Sequence, residues 1–467
     1  MPHYVNINYF TLNAWCLYIV YCTKYFHTCE SMVYLLFPLV NEIKLQFQIK
    51  CSTVRYGLGV TKEVGLDLVN LGAKNVCVMT DPNVVSLKPT KAVLDSLTKY
   101  GIHFKVYDGV RVEPTDSSFK AAIEFAKAGN FDSFIAVGGG SVMDTCKAAN
   151  LYSCDPEADF LDYVNQPIGK GKEVNVQLKP LIAIPTTSGT GSETTGMSIF
   201  DYEEIQAKTG IASSALRPLL ALIDPLHTLS VPKNVAIFSG FDIFCHALES
   251  FTAIPYTERG PAPSNPALRP VYQGSNPISD VWSRFCLQYF SRSVNNADDI
   301  EARSSMHLAA TMAGVGIGNA GVHLCHGLAY PIAGNVKQYL PDDYGKDPMI
   351  PHGLAVVVTA PAVFRFTSPS DPDKHLEAAN LLGADTAGRR QTDAGKVLAD
   401  TILKYMELMK IDNGLSGLGY TAEDIPKLVK GALPQVKKLL KLNMSRTRED
   451  KLTCKISRYM ISRHRQF

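Results

Sequence analysis

From residue 54 onward, the apolar positions form short, nearly continuous runs separated by longer stretches of helical period. Residues 75–80, 103–107, 133–137, 180–184 and 221–223 are β-rich runs of the length expected for buried strands. Between them, residues 91–100 and 118–128 repeat apolar side chains at helical spacing, and Pro114-Thr-Asp116 supplies a helix start before the second. Strands alternating with helices pair in parallel, so this half is predicted to be an α/β domain with ligands at the carboxyl ends of its strands. After Pro232 the pattern changes to long helical stretches with few strand signals. The expected organisation is an N-terminal extension at 1–53, an α/β domain at 54–230, an all-helical domain at 231–435 and a tail at 436–467.

Composition narrows the class. A chain of 467 residues is too long for one ordinary core, and 46% hydrophobic with 19% charged residues describes a globular protein with large cores. The apolar runs at 15–22 and 32–40 are too short to cross a bilayer, which argues against stable membrane insertion. The first fifty residues contain no arginine, so they do not read as an Arg-rich transit peptide, and disorder, a cleaved targeting sequence or a faulty gene model all stay open. Eleven cysteines without paired spacing point to free thiols. Net charge is +2, but residues 437–467 hold ten basic and two acidic residues, a local +8 that leaves −6 on the rest. An acidic body argues against nucleic acid as a partner.

Two loops carry the first candidate chemistry. The strand at 133–137 runs into Gly138-Gly-Gly-Ser-Val-Met-Asp144, which opens a helix. Glycines at such a turn let backbone N–H groups approach a phosphate at the helix N-terminus. The strand at 180–184 ends in Pro185-Thr-Thr-Ser-Gly-Thr-Gly-Ser-Glu193, small and hydroxyl-rich. Neither fits the G-x-G-x-x-G or Walker A fingerprints, but two such loops after strands of one domain favour a dinucleotide site.

The second candidate is a metal centre. Asp242 and His246 lie four residues apart in an apolar helical run, so both side chains leave one face. His323 and His326 follow in a glycine-rich stretch, and His352 stands in Ile350-Pro-His-Gly353. Imidazoles with one carboxylate suit iron(II) or zinc and leave coordination positions for a substrate oxygen.

These motifs, in this order, resemble the iron-containing (group III) alcohol dehydrogenases from about residue 54 to 431. Within that family, stretches such as Val112-Glu-Pro-Thr-Asp-Ser-Ser118 and Tyr272-Gln-Gly-Ser-Asn-Pro-Ile-Ser-Asp280 are most similar to the mitochondrial hydroxyacid-oxoacid transhydrogenases. The resemblance implies a Rossmann-like NAD domain joined to an all-helical metal domain, the architecture also of dehydroquinate synthase. It puts the metal ligands at Asp242, His246, His326 and His352, with Fe(II) expected and Zn(II) the alternative. It puts cofactor contacts at Gly138, Gly139, Gly140, Ser141, Asp144, Thr186, Thr187, Thr190, Ser192 and Lys208. Asp81 matches the family's acidic residue for the adenosine ribose, which implies NAD rather than NADP. The implied reaction oxidises 4-hydroxybutyrate to succinate semialdehyde while 2-oxoglutarate becomes 2-hydroxyglutarate, with small hydroxyacids and oxoacids as partners and a mitochondrial location.

The chain departs from the family in two places. Many members carry a second histidine where this chain has Tyr330-Pro331, which makes Tyr330 and His323 the candidates for catalysis or proton transfer. Residues 254–279, with six prolines, are expected to be an irregular insertion and a candidate lid, and Arg259 and Arg269 are candidate clamps for a substrate carboxylate. Residues 337–349 lengthen the approach to His352. An ordinary NAD-dependent alcohol dehydrogenase, a dehydroquinate synthase-like lyase and a non-catalytic NAD-binding protein are the alternatives. Oligomeric state is open between a monomer and a homo-oligomer.

Overall fold

The computed structural model describes residues 47–259, 272–285, 289–412 and 414–440. Six strands form one parallel sheet: β1 (Thr53–Tyr56), β2 (Asn75–Met79), β3 (His103–Tyr107), β4 (Ser133–Gly138), β5 (Leu181–Pro185) and β8 (Leu220–Ile223), in the order β1-β8-β5-β4-β2-β3. A separate antiparallel hairpin joins β6 (Met197–Tyr202) to β7 (Ala207–Ala212). Every residue of β4, β5 and β8 is buried, as expected for strands covered on both faces. On one side Val64, Leu68, Val93 and Leu97, from helices α1 (Val64–Asn70) and α2 (Lys88–Lys99), pack on the sheet. On the other, Ala122, Ala126, Met143 and Cys146 come from α3 (Asp116–Gly129) and α4 (Gly140–Cys154). The predicted start of α3 is a capping box in which Thr115 and Ser118 exchange side-chain to backbone hydrogen bonds.

Sequence order reverses between β2 and β4, which are neighbours in the sheet although β3 intervenes in the chain. Such a switch point leaves a crevice at the carboxyl ends of the two strands. Asp81 follows β2 there, and the glycine loop follows β4.

The later part of the chain is helical. Helix α5 (Lys233–Thr252) is buried along most of its length and packs against α6 (Ile300–Ala320) and α8 (His352–Val357). A bend of 105° separates α6 from α7 (Leu324–Gly334). Phe241, Phe244, Leu324, Leu354 and Phe364 belong to one apolar core here. Among the described residues no single helix is long and apolar enough to cross a membrane.

Several expectations change. The irregular reading of 254–279 runs too far, because Pro277 begins a helix that extends to Phe285: proline fits the first turn, where its missing N–H is not needed. Residues 260–271, including Arg269, lie outside the described residues, as do 1–46 and 441–467. Residues 48–52 are bound to the body: Gln48 and Gln273 exchange two hydrogen bonds of 2.8 Å, and Ser52 Oγ donates to the Glu193 carbonyl. Strand β1 and the β6–β7 hairpin were not foreseen.

Candidate functional site

Four side chains from three helices meet around one oxygen. Asp242 and His246 stand one turn apart on α5, His326 lies in the first turn of α7, and His352 opens α8. From Asp242 Oδ1, His326 Nε2 lies at 3.4 Å, His246 Nε2 at 3.5 Å and His352 Nε2 at 3.7 Å. The His246 and His326 rings stack with centroids 4.6 Å apart. The sequence allows this convergence through Gly353, where a Cβ would sit 1.8 Å from the Phe238 carbonyl oxygen. Only glycine lets α8 press against α5 closely enough to bring His352 in.

Asp242 Oδ1 and His326 Nε2 are buried and make no hydrogen bond among the described residues. Buried polar atoms are ordinarily paired, so a carboxylate oxygen and imidazole nitrogens aimed at one another fit a divalent cation. The four groups also act on one another's protonation. Burial acts to raise the Asp242 pKa, but His246, His352 and His326 hold it well below the usual carboxylate range. Burial brings His246 down to about 4 and also lowers His352. For His326 burial is outweighed by Glu249 and Asp242, which push it up to about 9.

Glu249 was not singled out from the sequence, although its spacing shows it. Positions 242, 246 and 249 follow the i, i+4, i+7 pattern of one helix face. Its Oε2 contacts His326 Nδ1, and its Oε1 accepts from the Cys325 N–H at 2.7 Å.

His323 is placed elsewhere. It caps α7 instead of lying inside a helix one turn before His326, because the chain is still turning after α6. Its Nε2 is 3.0 Å from Thr252 Oγ1, its Nδ1 is 3.0 Å from Glu249 Oε1, and it does not line the cavity described next.

Asp242, His246, His326 and His352 line a cavity whose walls also include Gly140, Ser141, Asp144, Thr190, Ser192 and Lys208. Tyr272 and Tyr330 line it as well, and burial pushes both phenol pKa values up, so both stay protonated at neutral pH.

The two loops lie side by side because Gly138 of β4 is in register with Pro185 of β5. A Cβ on Gly139 would come within 3.2 Å of Thr187 Oγ1, and one on Gly140 within 2.6 Å of Thr190 Cγ2. Thr186 N donates to the Gly138 carbonyl. Asp144 and Ser192 are linked to each other at 2.5 Å, and the buried Lys147 amine donates to Ser192 Oγ at 2.6 Å and to the Met197 carbonyl at 2.7 Å. Lys147, which sequence reasoning missed, thus ties both loops to the hairpin.

Lys208, on β7, is buried between Glu113 and Asp201, and these carboxylates raise its pKa against the effect of burial. Asp81 Oδ1 accepts from Asn83 N at 2.8 Å and Val84 N at 3.2 Å, which fixes the turn after β2. It is outside the cavity lining, at the switch-point end of the sheet. Arg259 is half-buried beside the residues outside the described range and does not line the cavity.

The backbone between the two halves is equally close. Gly191, in the threonine loop, has φ +63°, and a Cβ on it would lie 2.4 Å from Gly314 Cα on α6.

Residues 51–225 match the family model for iron-containing alcohol dehydrogenase, and residues 271–458 match that for the family's C-terminal part, reaching past position 436 where the sequence suggests a separate tail. The chain is 61% identical over 419 residues to the mitochondrial hydroxyacid-oxoacid transhydrogenase of Bos taurus, covering 89% of this chain and 90% of that one. It is 64% identical over 394 residues to the Xenopus laevis protein of the same name, covering 83% and 85%. Among solved structures, a 1,3-propanediol oxidoreductase aligns with a TM-score of 0.75 at 23% identity, over 89% of this chain and all of that one (100%). A sulfoacetaldehyde reductase from Bifidobacterium kashiwanohense, in complex with NAD+, aligns with a TM-score of 0.69 at 23% identity, over 89% of this chain and 98% of that one. At that identity the structures establish the shared fold, and the family models with the close relatives establish descent: the chain is an enzyme of the iron-containing alcohol dehydrogenase family.

Proposed function

We propose that this chain moves a hydride between a small hydroxyacid and a small oxoacid through a bound NAD, with a divalent cation at Asp242, His246, His326 and His352. The observation that carries this reading is that one cavity is lined both by the aspartate and three histidines and by Gly140, Ser141, Thr190 and Ser192 of the two loops. The cation is assigned as iron(II), with zinc the alternative for the same donor set. Residues 54–230 serve as the NAD domain and 231–435 as the metal domain.

When bound, the cation supplies Lewis acidity toward a substrate oxygen, and NAD supplies the hydride acceptor and donor. The chain's own residues do the rest. Gly138 to Ser141 offer backbone N–H groups at the start of α4 to a phosphate, and the hydroxyls of Thr186, Thr187, Thr190 and Ser192 on the neighbouring loop, with Asp144 and Lys208, hold the cofactor beside it. Asp81 takes the ribose hydroxyls. Tyr330, protonated through burial, lines the site as a hydrogen-bond donor and not as a base. His323 supports Glu249 from behind.

The substrate class follows from the names of the close relatives, hydroxyacid-oxoacid transhydrogenases, as does a mitochondrial location. Purified protein given 4-hydroxybutyrate and 2-oxoglutarate without added NAD is expected to yield succinate semialdehyde and 2-hydroxyglutarate in equal amounts. Strict dependence on added NAD would instead make it an ordinary NAD-linked dehydrogenase.

A further inference from the structure

The His326 imidazole is clamped between two buried carboxylates of the same helix. Asp242 Oδ1 lies 3.4 Å from its Nε2, and Glu249 Oε2 contacts its Nδ1. Glu249 is completely buried, and its other oxygen accepts from the Cys325 N–H, next to His326 in the chain. We propose that Glu249 is the positioning residue of the metal centre, fixing the His326 tautomer by accepting its Nδ1 proton so that the Nε2 lone pair faces Asp242 and the cavity. This rests on the reading of Asp242, His246, His326 and His352 as cation ligands.

The chemistry leaves little choice. A carboxylate is only an acceptor, so Nδ1, in hydrogen-bond contact with Glu249, carries the hydrogen, while Nε2, 3.4 Å from Asp242 without a hydrogen bond, is left in the neutral ring to bind a cation. Outer carboxylates on ligating histidines act this way in general, and losing one typically costs about 10–100-fold in metal affinity. The arrangement also explains why both oxygens of Glu249 point to the first turn of α7. One holds the backbone and the other the ring, so His326 is fixed in position and in tautomer by a single side chain.

Glu249→Gln separates this role from packing, because it keeps the shape. An amide has one oxygen and one NH2 group, so it can satisfy the Cys325 N–H or the His326 Nδ1–H, but not both. If the NH2 group turns to the ring, the proton moves to Nε2, where the cation would bind. Zn2+ affinity of the metal-free full-length protein, measured by competition with a chelator, is expected to fall about 10–100-fold. The urea midpoint of the metal-free form is expected to hold. Wild-type affinity in Glu249→Gln would overturn the proposal. Should that variant fail to fold, Glu249→Asp is compared with Glu249→Ala: tighter binding by the aspartate, an acceptor, supports the proposal, and equal binding overturns it. A wild-type protein that binds no divalent cation overturns the ligand reading itself, a result distinct from equal binding by wild type and variant.

Discussion

Asp242 Oδ1 and His326 Nε2 face each other at 3.4 Å, both buried and neither hydrogen-bonded among the described residues. A pair of this kind is costly in a core unless something positive joins it. Asp242→Asn removes the only negative ligand of the four. We expect divalent-cation affinity to fall by more than about 100-fold, beyond the range typical of an outer partner. Metal analysis after gel filtration checks this, and stoichiometric metal in the variant would refute it.

Gly353→Ala should act on the same centre from a distance. Its methyl would need the space of the Phe238 carbonyl, 1.8 Å away, so α8 has to retreat from α5 and take His352 with it. Overpacking of this kind costs about 1–3 kcal/mol. The urea midpoint is expected to drop and Zn2+ to bind more weakly, whereas a variant with both unchanged would show that His352 does not depend on that contact.

Asp81→Asn keeps the acceptor oxygen that caps the turn and removes the charge. The preference for NADH over NADPH in fluorescence titrations is expected to narrow about tenfold, equivalent to about 1.4 kcal/mol. An unchanged ratio would remove Asp81 from the ribose site.

Stability should weaken in mild acid. Burial brings His307 down to about 3 and His375 down to about 4. His307 lies near His227 and Asp224 with Ser188 at its Nδ1, and His375 lies near His323 with Asp371 and Thr367 as partners. Both imidazoles take up protons more readily in the unfolded chain, where the value is about 6.5. Their contribution is therefore fully present above pH 6.5 and is lost as pH falls through that value toward 4 and 3. Each should remove about 1.4 kcal/mol per pH unit within its window. Urea midpoints that stay level from pH 6.5 to 5 would contradict this.

Much of this was legible in the sequence because it depends on local pattern. The central strands β2, β4 and β5 are short apolar runs, and the loops after β4 and β5 are adjacent because parallel register puts them so. Asp242 and His246 share a face through helical spacing alone. What the sequence hid depends on packing between distant elements. The β6–β7 hairpin mixes polar and apolar residues in Met197–Tyr202 and Ala207–Ala212, so no clean alternation marks it. His323 and His326 look equivalent three residues apart, but the cap at His323 sends one ring toward Thr252 and the other toward Asp242. Lys147 reads as one more helical lysine until Ser192 and Met197, brought in by the other loop, surround its amine.

The Gly191–Gly314 contact has a consequence for how this cleft can vary. A side chain at either position meets the backbone of the other, with a Cβ on Gly314 lying 2.6 Å from the Gly191 oxygen. The two positions therefore form a single constraint, and substitutions there should be strongly non-additive: once one residue has forced the surfaces apart, the second finds the space already opened. Change at this seam therefore begins with an unfavourable step, whichever of the two glycines is replaced first.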